Sequence, residues 1–279
     1  MKEYVAYRTA DKLSPSTKSD SSWRLNAFAS HFGKVELHQI AAGDIENFLK
    51  GHTEGWSRRS FYKRLLPMFA HAKRHRWIAV SPFDDLAAPE TPGGRRAVYS
   101  PDQLKSLLEQ SMFYDDIVLI YIALAGLGFF RSQELVRRFD SEPVLEWSDV
   151  LSDRKLIHVR EGVAKSTRRK FGNERFCPIH PALQSWLNFI SERRRKGRIV
   201  NVSVRSFRKR LHAVFDRAKV PLIDNGLRKS AISYWLAAYP EYGVAQVSQW
   251  AGNSESNCRQ HYLKILTKED GLKWFDSAK

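Results

Sequence analysis

Apolar residues recur at helical spacing along most of the chain and alternate only in a few short stretches. Trp23, Leu25, Phe28, Ala29 and Phe32 group on one side of a predicted helix that Gly33 stops. A second helix is predicted from Gly43-Asp44, with Asp44 as its cap, Ile45, Phe48 and Leu49 on its apolar side and Gly51 at its end. Residues 56–77 carry an apolar stripe of Phe61, Leu65, Met68, Phe69 and Ala72, and Pro67 should kink or divide that helix. Ser100-Pro101-Asp102 opens another helix, with Ser100 as cap and Gln103 at the third position, and with Leu104, Leu107 and Leu108 inward. Residues 117–127 read as a wholly buried helix that Gly126 and Gly128 break. The β-rich stretches are 143–147, 155–159 and 175–179. Helices are predicted again over 181–195 and over 203–219, where Phe207, Leu211, Val214 and Phe215 face inward. One more begins at Asp224 or Asn225 with Ile232, Trp235 and Leu236 on its core side. Val247 and Trp250 pack residues 246–251, and Asn253 or Ser254 caps the segment that bears Tyr262. Leu266, Leu272, Trp274 and Phe275 form a short apolar tail.

This pattern predicts a mainly α protein with a small antiparallel β-sheet, an α+β chain in two domains. Residues 1–22 are polar and read as a mobile lead-in, 23–86 as a helical domain, and 87–97, with Pro89, Pro92, Gly93 and Gly94, as a linker. Residues 98–279 form the second domain. With 279 residues, 43% hydrophobic and 12% aromatic, the chain can bury a substantial core. Its formal charge of +16 favours a polyanionic partner, because cationic surfaces gain affinity by releasing the counterions condensed on nucleic acid. Arg58, Arg59 and Lys63 crowd the polar faces of the 56–77 helix; they read either as phosphate contacts or as an ordinary solvated face. Arg205, Arg208 and Lys209 point away from the inward face of their helix, and Arg168, Arg169 and Lys170 fill a basic hairpin tip suited to nonspecific phosphate contact. The first ten residues lack the apolar segment of a signal peptide, and the apolar run 117–130 is too short to span a bilayer, so a cytoplasmic location and no membrane partner are expected. Cys177 and Cys258 suit a reducing compartment and have no metal-ligand spacing.

The candidate chemistry lies in widely separated positions. Asn225 and Arg228 are three apart, which on a helix places them on one face, and Gly252 can supply the turn needed to bring Tyr262 near Asn253. Arg131 follows the long apolar run, with Glu134 three residues on; the two form either a locally satisfied pair or part of a site. A tyrosine placed after arginine and amides, without a cysteine nucleophile or metal cluster, suggests covalent attack on a phosphodiester.

These positions resemble the signature of the tyrosine recombinases, the phage-integrase family. There a Gly-Leu-Arg-x-x-Glu-Leu corner is followed by a hairpin lysine, a His-x-x-Arg box, Leu-Gly-His and, nine residues later, the nucleophilic tyrosine. The matching residues here are Arg131 with Glu134, Lys165, Asn225 to Arg228, Asn253 and Tyr262, and both histidines are replaced by asparagine. Lys229 stands where the family usually has histidine and adds positive charge. Residues 23–83 resemble the family's core-binding domain in pattern. The resemblance implies a DNA-clamping domain and a catalytic domain that cleaves and rejoins double-stranded DNA through a 3′-phosphotyrosyl link. Arg131 and Arg228 would hold the phosphate, and Lys165 would protonate the leaving oxygen. It also implies no cofactor, no metal, a homotetramer on paired DNA sites with a monomer or weak self-association without DNA, nucleoid association, and a tail that docks in cis or on a neighbour. An amide cannot be a general base, so a slow enzyme is expected, or one in which phosphate, water or another side chain takes the phenol proton. A catalytically silent DNA-binding derivative and a topoisomerase of the same chemistry are the alternative readings.

Overall fold

The computed structural model describes Tyr4 and residues 15–52, 55–90, 97–137, 139, 141–164, 174–190, 192–261 and 266–278, apart from the side chains of Trp56, Glu192 and His261. The chain divides into two compact units, Met1–Gly94 and Arg95–Lys279.

The first unit is helical: α1 (Pro15–Phe32), α2 (Ala42–Lys50) and α3 (Gly55–Arg74), with α3 packed on both others. Leu25, Phe28, Ile45, Phe48, Phe61, Leu65 and Phe69 are buried. Their rings meet edge to face, Phe28 on Phe48 at 5.3 Å and Phe48 on Phe61 at 5.3 Å, the arrangement the ring quadrupoles favour. Pro67 lies inside α3 without dividing it. Asp44 is not the cap of α2; it sits at the third helical position and its carboxylate accepts the Ala41 N–H at 2.9 Å. The helix predicted from Trp23 takes in residues from Pro15 onward, and Asp20 within it pairs with Arg24 at 3.2 Å and with Arg64 of α3 at 3.1 Å. Trp23 itself is 58% exposed, with the Arg24 guanidinium over its ring.

The second unit is built around α5 (Asp116–Leu127), whose residues from Val118 to Leu127 are all buried. The helices α4 (Pro101–Tyr114), α7 (Pro181–Phe189), α8 (Val204–Arg217) and α9 (Gly226–Ala238) surround it. The Ser100 capping box forms as expected, Ser100 Oγ accepting the Gln103 N–H at 3.2 Å and Gln103 Oε1 accepting the Ser100 N–H at 2.9 Å. Gly126 stays inside α5, and Gly128 terminates it. A single-turn helix α6 (Ser132–Leu135) leads to an antiparallel sheet of β1 (Val150–Leu151), β2 (Leu156–Val159) and β3 (Arg175–Pro178) in that order. The stretch 143–147 is not a strand of this sheet. Its backbone instead bonds outside it: Leu145 N–H to Glu134 O at 2.8 Å and Trp147 N–H to Gly197 O at 2.9 Å. The helix expected over 181–195 ends at Phe189, where the Arg195 side chain donates to the carbonyls of Ile190 at 2.9 Å and Asn188 at 3.1 Å.

Three helices finish the unit: α10 (Gly243–Ala251), α11 (Glu255–His261) and α12 (Lys268–Asp276). The apolar tail folds back in cis. Its Trp274 stacks on Tyr234 of α9 at 4.5 Å and donates to Gly126 O of α5 at 3.0 Å. Gly271 allows this approach, since a Cβ there would lie 2.4 Å from the Ala238 backbone nitrogen. Among the described residues no helix is long and apolar enough to cross a membrane.

Candidate functional site

The site grows from a buried carboxylate. Glu134, on α6, has a side chain 1% exposed, so an unpaired charge there would be costly. Both its oxygens are taken in a fork by Arg175 of β3, at 3.0 Å from Nη1 and 2.8 Å from Nη2. Arg131 adds its Nη1 at 2.9 Å and its backbone N–H at 2.8 Å. Burial by itself pushes the Glu134 carboxyl up, but the charge and hydrogen bonds of Arg175, with Arg228 and Arg131 behind them, hold it down at about 2.

The second component is the C-terminal end of α10. A helix end leaves its last carbonyls without intrahelical partners and carries partial negative charge, which cations satisfy. Three guanidiniums do so on three consecutive carbonyls. Arg175 Nε donates to Trp250 O at 2.8 Å, Arg228 to Ala251 O, and Arg131 to Gly252 O. Trp250 O also accepts from Cys177 Sγ at 3.1 Å; burial pushes that thiol up to about 11, keeping it a neutral donor. Gly252 turns the chain in the left-handed region, φ 61°, and the Asn253 N–H closes the end on Ser248 O at 2.9 Å. Asn253 Oδ1 then accepts from Arg131 at 2.9 Å, while its buried Nδ2 has no hydrogen-bond partner among the described residues.

Arg228 sits in the first turn of α9, 3% exposed, and also donates to the carbonyl of Phe129. Phe129 is fully buried at φ 67°, a conformation that costs a side chain about 1–2 kcal/mol. The charge-assisted bond from Arg228 offsets that strain. Among the described residues, three guanidiniums against one carboxylate leave a local charge of +2 around Gly252.

Among the predicted residues, Arg131, Glu134, Arg228 and Asn253 come together here. Asn225 does not join their hydrogen bonds. It precedes α9 at φ 52°, which asparagine tolerates, and its amide donates to the Asp224 carboxylate at 2.9 Å. It does share with Arg228, Tyr121 and Ser132 the lining of a small cavity of about 30 Å³. Lys229 is buried, with its ammonium on Asp224 O. Lys165, Tyr262, Arg168, Arg169 and Lys170 lie outside the described residues; Tyr262 directly follows the last residue of α11. Arg205, Arg208 and Lys209 are exposed on α8. Lys63 is exposed on α3, whereas Arg58 and Arg59 donate to the carbonyls of His52 and Pro89, the latter at 2.9 Å.

Sequence reading missed Arg175. The signal was available: side chains alternate along a strand, so a buried Cys177 places Arg175 on the same inward phase and Phe176 outward.

Gly252 is the tightest point. A Cβ there would lie 3.2 Å from Arg131 Nη1 and 3.2 Å from Arg175 Cδ and Nε. Gly252→Ala is therefore expected to destabilise the protein by about 1–2 kcal/mol from the backbone term alone, with an added cost as both guanidiniums shift. A fall in the urea midpoint at unchanged slope checks this; an unaltered midpoint refutes it.

Solved structures of similar fold place the geometry in context. The chain is similar to a lambda integrase (75–356) dimer bound to a COC' core site, with TM-score 0.72 and 14% identity, covering 93% of this chain and 92% of that one. It is similar to a lambda integrase tetramer bound to a Holliday junction, with TM-score 0.72, 14% identity and coverage of 95% and 77%. The Tn1549 transposon integrase (aa 82–397), in complex with circular intermediate DNA, gives TM-score 0.68 and 13% identity, with 97% of each chain covered. No family model and no curated protein sequence matches the chain. At these identities the likeness is one of fold.

Proposed function

We propose that the chain is a site-specific DNA recombinase of the tyrosine type, which cleaves and rejoins duplex DNA through a 3′-phosphotyrosyl link. One observation carries the reading: Arg131, Arg228 and Asn253 meet around Gly252, where the described residues, Arg175 and Glu134 included, sum to +2 and leave a buried amide donor over, at the start of the segment that leads to Tyr262. A phosphodiester in attack gains negative charge on its nonbridging oxygens, and fixed guanidiniums suit that charge. In the proposed step the Tyr262 oxygen bonds to phosphorus and the bond to the 5′ oxygen breaks. Lys165 gives the 5′ oxygen a proton, and the phenol proton leaves to a phosphate oxygen or water. Rejoining reverses the step, with the bond energy held in the phosphotyrosyl link.

The likeness in fold to integrases solved on DNA supports the same reading. The helices of the first unit would clamp the duplex with residues 23–86, residues 87–97 would link them to a catalytic domain of 98–279, and four copies would assemble on paired sites on nucleoid DNA in the cytoplasm. Arg58, Arg59, Lys63, Arg205, Arg208 and Lys209 would supply phosphate contacts, with Arg168, Arg169 and Lys170 at the hairpin tip. A second reading, a catalytically silent DNA binder, is favoured by one feature: neither Asn225 nor Asn253 can accept the phenol proton.

The test uses randomised duplexes that each carry a nick, so that a cleaved end diffuses away and traps the adduct. A denaturant-resistant protein–DNA adduct is the expected result. A mobility shift with no adduct supports the silent binder, and relaxation of supercoils without joining of sites supports a topoisomerase. A protein that gives no adduct overturns the proposal, whether or not it shifts the duplex.

A further inference from the structure

We propose that Arg175 is a positioning residue for this reaction, holding Glu134 so that the carboxylate aims Arg131 without cancelling its charge; the inference rests on the reading above. All of Arg175's nitrogens point into the protein. Nη1 and Nη2 fork onto Glu134 at 3.0 and 2.8 Å, and Nε reaches Trp250 O at 2.8 Å. Each of its three nitrogens already has an acceptor in the protein, two of them on Glu134, so the side chain is committed to holding that carboxylate.

The geometry of Glu134 explains the need for a second arginine. A carboxylate beside a lone guanidinium takes it in a two-bond fork, giving a neutral pair. With Arg175 in place, the fork is already occupied. Arg131 donates only one side-chain hydrogen bond to Glu134, at 2.9 Å, and one more from its own backbone N–H, at 2.8 Å. Its other terminal nitrogen is thereby free to meet Gly252 O and Asn253 Oδ1. Arg175 also begins the strand that follows the stretch containing Lys165, so the same contacts fasten the base of that hairpin to α6 and α10. Lysine offers a point charge instead of a planar fork and cannot reproduce this.

The test measures the single-turnover rate of adduct formation on nicked duplex, duplex affinity by mobility shift, and melting temperature. Arg175→Met and Arg175→Lys are expected to slow adduct formation about 100-fold, the scale of losing one oriented donor, with duplex affinity unchanged. Arg175→Met takes the fork partner from a buried carboxylate and leaves Arg131 to pair with it, so the double variant Arg175→Met/Glu134→Gln removes both charges of the Arg175–Glu134 pair. It is expected to regain melting temperature but not rate. A rate that returns together with melting temperature overturns the inference, since that is the mark of a merely structural residue. Arg175→Met at the wild-type rate, beside a wild-type protein that forms the adduct, overturns this inference and leaves the recombinase reading standing. A wild-type protein that forms no adduct overturns both.

Discussion

Tyr262→Phe is expected to end covalent capture of nicked duplex, lowering adduct yield by more than about 10⁴-fold, the scale at which removal of a nucleophile acts. Binding to intact duplex should stay as it was. Affinity for DNA comes mainly from cations that displace counterions, and the phenol oxygen contributes no charge to that process. The two readouts therefore separate, and their separation identifies Tyr262 as the group that forms the bond. His261→Ala supplies the control: its retained capture assigns the adduct to the phenol, not to the imidazole next to it in sequence. A Tyr262→Phe protein that still forms the adduct sinks the assignment. A protein with no adduct in any form, yet a normal shift, is the silent binder. In that case the asparagines at 225 and 253 are the physical reason, because neither amide can take up a proton.

Much of the architecture follows from local pattern. The Ser100 cap is legible because its partner lies three residues away, and α5 is legible because its buried run has no polar interruption. Arg131 and Glu134 are legible as a pair for the same reason of proximity. Contacts between distant positions are what pattern leaves out. The part of α1 before Trp23 pairs through Asp20 with Arg64, 44 residues away, and no short window along the chain contains both. The stretch 143–147 has strand-like residues, but its backbone partners lie near 197 and 134, so the sheet begins later, at Val150. The role of Arg228 depends on carbonyls of Phe129 and Ala251, which sequence cannot specify because every residue has one. Arg175 is a different case. Strand phase placed it inward, and a charge on the inward phase of a strand is the sign of a buried partner that the β-rich reading passed over.

Glu134→Gln is expected to cost about 3–5 kcal/mol of folding stability at neutral pH, because it removes the carboxylate that, among the described residues, bonds both Arg131 and Arg175, and leaves their guanidiniums facing one another. The pH dependence of that loss tests its electrostatic origin. The folded-state value of about 2 lies below the ordinary 4.5, so ionised Glu134 stabilises the protein above the ordinary value. The contribution then falls away as pH drops from 4.5 towards 2, and a gap of that size corresponds to about 3 kcal/mol in total. Glutamine has no proton to gain. The difference between wild type and variant, read from urea midpoints, should be constant from pH 7 to pH 5 and then shrink steadily to pH 3. If the difference holds level through that acid range, the loss is one of shape and hydrogen-bond count, and the carboxylate charge is not what keeps the three arginines together.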